Sequence, residues 1–156
     1  MPDDALRIRQ VGERETAEAE RLLTTFFVEE QFPLPAEGLG VRLQRYVTLP
    51  HHAVFVAAVG QATVGVSTVT ANFGLEYGWA SELEDLYVLP SHRGRGVARR
   101  LLEAAEEWAR ADGCALMLVT VTPEGQEAHD LMGFYRHLGF SDLGRKLLEL
   151  LLRSDP

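Results

Sequence analysis

The segment Glu82 to Trp108, ELEDLYVLPSHRGRGVARRLLEAAEEW, decides how the rest of the chain is read. It divides into an apolar strand, a glycine-rich turn carrying arginines, and an amphipathic helix. Leu86-Tyr87-Val88-Leu89 supplies the strand, and Pro90 ends it because proline cannot donate to a β ladder. Val97, Leu101, Ala105 and Trp108 fall on one helical face, with Arg99, Arg100, Glu103, Glu106 and Glu107 turned outward. Gly94 and Gly96 let the backbone of the turn come close to whatever it holds.

The charge pattern says what that is. The chain carries 15 Lys+Arg against 23 Asp+Glu, a net charge of -8, yet no acid occurs from Leu86 through Leu102. The same window holds His92, Arg93, Arg95, Arg99 and Arg100. A helix start offers unpaired N–H groups and a partial positive charge, which suits a phosphate. Three phosphate motifs compete. A P-loop needs a Gly-Lys pair, and the chain has none. A dinucleotide fingerprint needs a third glycine where Arg99 stands, and arginine cannot fill its packing role. Arg-x-x-Gly-x-Ala, Arg93 to Ala98, remains.

The rest of the chain is that of one domain, 156 residues, able to build a full core without metal or disulfide support. Met1-Pro2-Asp3-Asp4 does not resemble a secretory leader. The longest apolar run, Ala53 to Val59, is far too short to span a bilayer. These features, with the single Cys114, lead us to expect a cytoplasmic protein. Net acidity disfavours a nucleic-acid partner and suits a cationic substrate.

In order, Leu6 to Val11 reads as a strand and Glu13 to Gln31 as a helix, broken by Pro33 and Pro35 after an elbow, Glu29-Glu30-Gln31-Phe32. A shorter helix follows near Gly38 to Thr48, with Leu39, Leu43, Tyr46 and Val47 on its apolar face. Ala53–Val59 and Ala62–Thr70 form a hairpin about Gly60-Gln61, and Asn72 to Trp79 is a connection. After the central segment, Gly113 caps the helix and Ala115 to Val121 is a strand. A helix from about Glu127 to Leu138 is closed by Gly139. Arg145 to Leu152 favours helix by propensity, but a growing sheet calls for a last strand there. The expected class is α/β with a mixed sheet.

The Arg93–Ala98 turn resembles the acyl-CoA pyrophosphate loop of the GNAT superfamily of N-acyltransferases. A second motif, Gly133-Phe134-Tyr135-Arg136-His137-Leu138-Gly139-Phe140, resembles that family's closing helix, whose tyrosine stands four residues before a Gly-Phe pair. The two occur in family order, separated by a helix and a strand. The segment Leu83 to Val88 is similar to that of polyamine and aminoglycoside-type acetyltransferases. The resemblance implies a sheet of six to seven strands flanked by about four helices. It also implies acetyl-CoA as cosubstrate, no metal, and transfer of an acetyl group to a primary amine by direct attack in a ternary complex. Protein or peptide amines, and a non-catalytic acyl-CoA-binding module, are the alternatives; a homodimer through an exposed sheet edge is compatible with both.

The resemblance also implies residue roles. The backbone of Leu86, Tyr87 and Val88 binds the pantetheine arm, and the amides of Gly94, Arg95, Gly96, Val97, Ala98 and Arg99 hold the pyrophosphate. Arg93 and Arg95 position the loop or meet the 3′-phosphate. Tyr135 gives a proton or hydrogen bond to the departing thiolate. A carboxylate takes the proton of the amine: Glu84 first, Glu82 as the alternative, with Asp85 on the opposite face by simple alternation unless a bulge intervenes. Glu30, Phe32, Glu76, Tyr77, Trp79 and Glu82 are candidates for the acceptor pocket, since acidic and aromatic groups together suit an ammonium. One position departs from the pattern: Ala128 stands where many members carry asparagine, beside His129 and Asp130. His51-His52 lack a third ligand at metal spacing, and Cys114 reads as a packed thiol.

Overall fold

The β-branched runs after Pro50 build the centre of the molecule. In the computed structural model, which describes residues 5–153, they form β2 (His52–Val59) and β3 (Ala62–Gly74), joined by a tight turn in which Gly60 has φ 59°. β1 (Leu6–Gln10) precedes them, and β4 (Gly78–Val88) and the short β5 (Met117–Val119) follow. The sheet order is β1-β2-β3-β4-β5. The first three pairings are antiparallel and β4–β5 is parallel. Five helices complete the architecture: α1 (Ala17–Glu29), α2 (Leu39–Thr48), α3 (Val97–Ala111), α4 (Pro123–His129) and α5 (Leu131–His137), with a 3-10 turn at Pro90–His92. The class is the mixed α/β one expected, with five strands among the described residues rather than six or seven.

Alternation along the strands makes two apolar faces. One joins Val54, Val56, Val66 and Tyr87 to Ala19, Leu22, Leu23 and Leu43 of α1 and α2. The other receives α3, whose Val97, Leu101, Leu102, Ala105 and Ala109 are buried. Gly65 makes that second contact possible. A Cβ there would lie 2.9 Å from Leu101 Cδ1 and 3.2 Å from Val97 Cγ1, closer than carbon atoms pack. The missing side chain therefore sets how near the start of α3 comes to the sheet.

The described chain divides into two compact units, one ending at Thr120 and one beginning at Val121. The second differs most from expectation. Its anticipated long helix is two short ones, because Asp130 adopts a left-handed conformation (φ 47°, ψ 53°) and its carboxylate caps α5 by accepting the N–H of Gly133 at 3.4 Å. Aspartate tolerates that backbone and caps helices readily, so it can break what periodicity alone would continue. The expected last strand at Arg145 to Leu152 does not form. Leu147, Leu148, Leu150, Leu151 and Leu152 are all more than three-quarters exposed. A strand exists through its ladder to a neighbour, and a leucine-rich composition does not supply one. In the first unit, Asn72 to Trp79 is no loose connection: β3 and β4 continue through it, with Phe73 opposite Trp79 and Gly74 opposite Gly78. The expected strand Ala115 to Val121 shortens to three residues.

Candidate active site

β4 carries the site, and a bulge arranges it. Thr68 lies opposite Asp85 and Val69 opposite Leu83, so Glu84 is an extra residue in the strand. The inserted residue resets the alternation. Glu82, Asp85 and Tyr87 oppose Thr70, Thr68 and Val66, which alternate along one face of β3. Leu83 is buried on the other face. Asp85 therefore shares the face of Glu82, where simple alternation had put it opposite.

Three carboxylates gather on that face, each differently held. Glu84 accepts from the Tyr46 hydroxyl of α2 at 3.1 Å and from Thr70 Oγ1 at 3.3 Å. Asp85 accepts from Thr68 Oγ1 at 2.5 Å, and burial pushes its carboxyl above the usual range despite that bond. Glu82 is half-buried; desolvation first, then the charge of Glu84, raise it, while a bond from Thr120 acts against them. The Tyr46 phenol is pushed far up, by burial first and by Glu84 next. The ring of His52 meets Tyr46 edge-on with centroids 4.7 Å apart, steadying the phenol against Glu84.

Beyond the bulge the strand opens. β5 pairs with β4 only from Ser81 to Leu83. The Leu89 N–H donates to Val64 O of β3 at 2.8 Å. Backbone groups alternate sides along a strand, so Leu86 and Val88 turn theirs to the opposite edge. Among the described residues no strand continues on that edge past Leu83, and an extended amide-bearing arm could add there as a strand would.

The same edge leads into the glycine turn. Gly94 has φ 74° and Gly96 φ 80°, left-handed values that glycine adopts without strain. At neither would an added Cβ meet anything within 4 Å, so the glycines serve an open approach rather than protein packing. Gly96 caps α3 without a side-chain bond, leaving the first-turn amides of Val97, Ala98 and Arg99 for an anion. The residues present fit a diphosphate. Of the two roles expected for Arg93, its contacts are those of positioning: its Nε donates to Val88 O at 2.9 Å and its Nη2 to Glu29 Oε1 at 2.9 Å. It braces the turn. Tyr87, under that guanidinium, donates to Glu29 Oε2 at 2.6 Å, and its phenol is pushed up to about 12, mainly by burial.

The acceptor candidates separate into two groups. Phe32 packs against Phe26 with ring centroids 5.5 Å apart, and Phe26 stacks on Tyr87 at 5.2 Å, so the Glu30–Phe32 elbow lies by the far end of β4. Trp79 sits eight residues away along that strand, roughly 26 Å at 3.3 Å per residue, against His51 and Phe73. Glu76 and Tyr77 occupy the adjoining β3–β4 turn. Glu82 lies between the groups, with the carboxylate cluster. Tyr135 belongs to the second unit, is buried, and contacts Phe134 and Phe140 edge-on at 5.1 and 5.3 Å. Of the groups flanking Ala128, Asp130 is spent on the α5 cap.

Sequence reasoning had missed Tyr46, Thr68, Thr70 and Glu29 as parts of the site. Tyr46 read as one apolar position of α2. Thr68 and Thr70 stand two apart in a strand, the one signal that could have marked them as a polar pair on a single face.

A mixed sheet in which β5 pairs with β4 only as far as Leu83, with a glycine turn and the start of α3 beyond it, defines an α/β domain with an open strand edge beside a helix N-terminus. The chain belongs to the acetyltransferase (GNAT) family, whose sequence model matches residues 17–140. An aminoglycoside N(6')-acetyltransferase type 1 of Salmonella typhimurium is 33% identical over 91 residues, covering 54% of this chain and 63% of the relative, so the match spans less than two-thirds of that protein. A thialysine N-epsilon-acetyltransferase of Bos taurus is 29% identical over 138 residues, covering 83% of this chain and 75% of its own length. Among solved structures, the aminoglycoside N-acetyltransferase AAC(6')-Iy in complex with CoA superposes with a TM-score of 0.81 at 22% identity, over 96% of each chain. That likeness is one of fold. Among the described residues no helix is long and apolar enough to cross a membrane.

Proposed function

We propose that this chain is an acetyl-CoA-dependent N-acetyltransferase that acetylates a primary amine of a small cationic molecule by direct attack in a ternary complex. One juxtaposition carries the reading: the open Leu86–Val88 edge running into the Gly94–Gly96 turn, beside three carboxylates on one face of β4. The names of the relatives, which act on aminoglycoside and thialysine amines, support the same acceptor class.

Each part has a task. The amides of residues 94–99 hold the diphosphate, and Leu86, with the N–H of Val88 whose carbonyl is taken by Arg93, aligns the pantetheine arm. When bound, acetyl-CoA supplies an activated acyl group. A primary amine with a pKa near 10 is neutral in only about one molecule in a thousand at pH 7, a handicap of roughly 4 kcal/mol. A carboxylate that accepts the proton, directly or through water, removes that handicap. Glu82 suits the task better than Glu84. Both Glu84 oxygens already accept hydrogen bonds, from Tyr46 and from Thr70, and are engaged away from an incoming amine. Glu82 is held higher by burial and by Glu84's charge, closer to a working base. Glu84 and Asp85 then set the field that draws in the cation. Tyr135 is the proposed donor to the departing sulfur.

Calorimetric titration with acetyl-CoA and with NAD tests the donor, and heat is expected for acetyl-CoA alone. Thiol release across polyamines, aminoglycosides, amino acids and peptides tests the acceptor. No binding of acetyl-CoA, or binding of NAD instead, overturns the proposal. Turnover confined to peptides transfers the acceptor to proteins.

A further inference from the structure

The turn that meets the diphosphate is gripped from an unexpected place. Arg93 is its first residue. Its guanidinium donates to Glu29 and to Val88 O, each at 2.9 Å, and its carbon lies 5.5 Å from the centroid of Tyr87. The second oxygen of Glu29 accepts from the Tyr87 hydroxyl at 2.6 Å. One carboxylate thus bridges the end of β4 and the start of the turn. The acid that the Leu86–Leu102 window lacks comes from α1, 64 residues away in sequence.

Two further observations argue that this is more than incidental pairing. Glu29 is the last residue of α1, where the helix dipole disfavours a carboxylate, and Arg93 supplies the cation that position wants. Between Arg93 and α3, the two glycines have open space on their Cβ side, so the path of the turn is set by its ends.

We propose that Glu29 is a positioning residue for the diphosphate turn, holding Arg93 and Tyr87 so that the turn is shaped before the ligand arrives. Preorganisation of this kind lowers the ordering cost of binding and strengthens affinity without a new contact. The inference rests on the acyl-CoA reading above.

The test compares binding of CoA with binding of pantetheine, which has the arm but no diphosphate, by competition calorimetry. In Glu29→Gln, CoA should bind about three- to tenfold more weakly, the scale of a partly exposed charged pair. Pantetheine should lose clearly less affinity than CoA, because the β4 backbone proposed to meet it is held also by its ladder to β3, which Glu29 does not touch. Tyr87→Phe keeps the ring under Arg93 and removes only the hydroxyl, so it should show the same bias on a smaller scale; it serves also if Glu29→Gln fails to fold. Equal affinity of Glu29→Gln and wild type for CoA overturns the inference, as does an equal loss for CoA and pantetheine, which would mark a packing defect. Wild-type protein that binds no CoA fails differently: it overturns the functional reading itself.

Discussion

Gly65→Ala should loosen the fold and the anion turn together. The added methyl carbon would sit 2.9 Å from Leu101 Cδ1, 3.2 Å from Val97 Cγ1 and 3.2 Å from the carbonyl oxygen of Tyr87. Carbon pairs rest at about 3.5–4.0 Å, so the start of α3 must retreat by roughly half an ångström to one ångström. Leu101 cannot swing aside, since it is fully buried, and the Tyr87 oxygen belongs to the β4 backbone. Overpacking of this kind costs about 1–3 kcal/mol. At roughly 2–4 °C per kcal/mol for a chain of this size, Tm should fall by about 2–12 °C in a circular-dichroism melt. Val97 opens α3, whose first amides are proposed to meet the diphosphate. CoA affinity should therefore fall as well, beyond what the loss of folded protein explains. An unchanged Tm would refute the packing argument. A lowered Tm with CoA affinity intact would show that the position of α3 does not govern the turn.

Other substitutions separate the proposed roles. Glu82→Gln should reduce kcat/KM at pH 7 by about 10²- to 10⁴-fold, the usual share of a general base, and far less near pH 10, where the amine loses its proton unaided; a larger effect at Glu84→Gln would exchange the two roles. Tyr135→Phe should lower kcat by about 10²-fold with acetyl-CoA affinity retained, and an unaltered kcat would remove the phenol from the reaction. Asp85 is raised in the folded state by burial, so the stability it contributes is present below its unfolded pKa and lost as pH rises through its folded one. Asp85→Asn should therefore raise Tm near pH 7 and not near pH 3. An equal change at both would contradict that linkage.

The amino-acid sequence by itself determined the central strand, turn and helix, because those signals are local: proline ends a ladder, glycine permits left-handed backbone, and an apolar stripe repeats at helical spacing. It also singled out the glycine turn as the proposed anion site, through the absence of acids over Leu86–Leu102. The helices and hairpin before it were legible for the same reason, to within a few residues. What depends on pairing was not. The bulge at Glu84 is a matter of register between β3 and β4, so the face of Asp85 stayed open until the pairing was known. Arg93 could have positioned the loop or met the 3′-phosphate, and only the packed chain shows Glu29, distant in sequence, holding it. The Arg145 to Leu152 segment shows the opposite limit: its composition favours helix and a growing sheet called for a strand, yet among the described residues it forms neither. Local preference fixes which elements can exist; only the packed chain decides which residues meet, because charge pairing and strand register are properties of two segments at once.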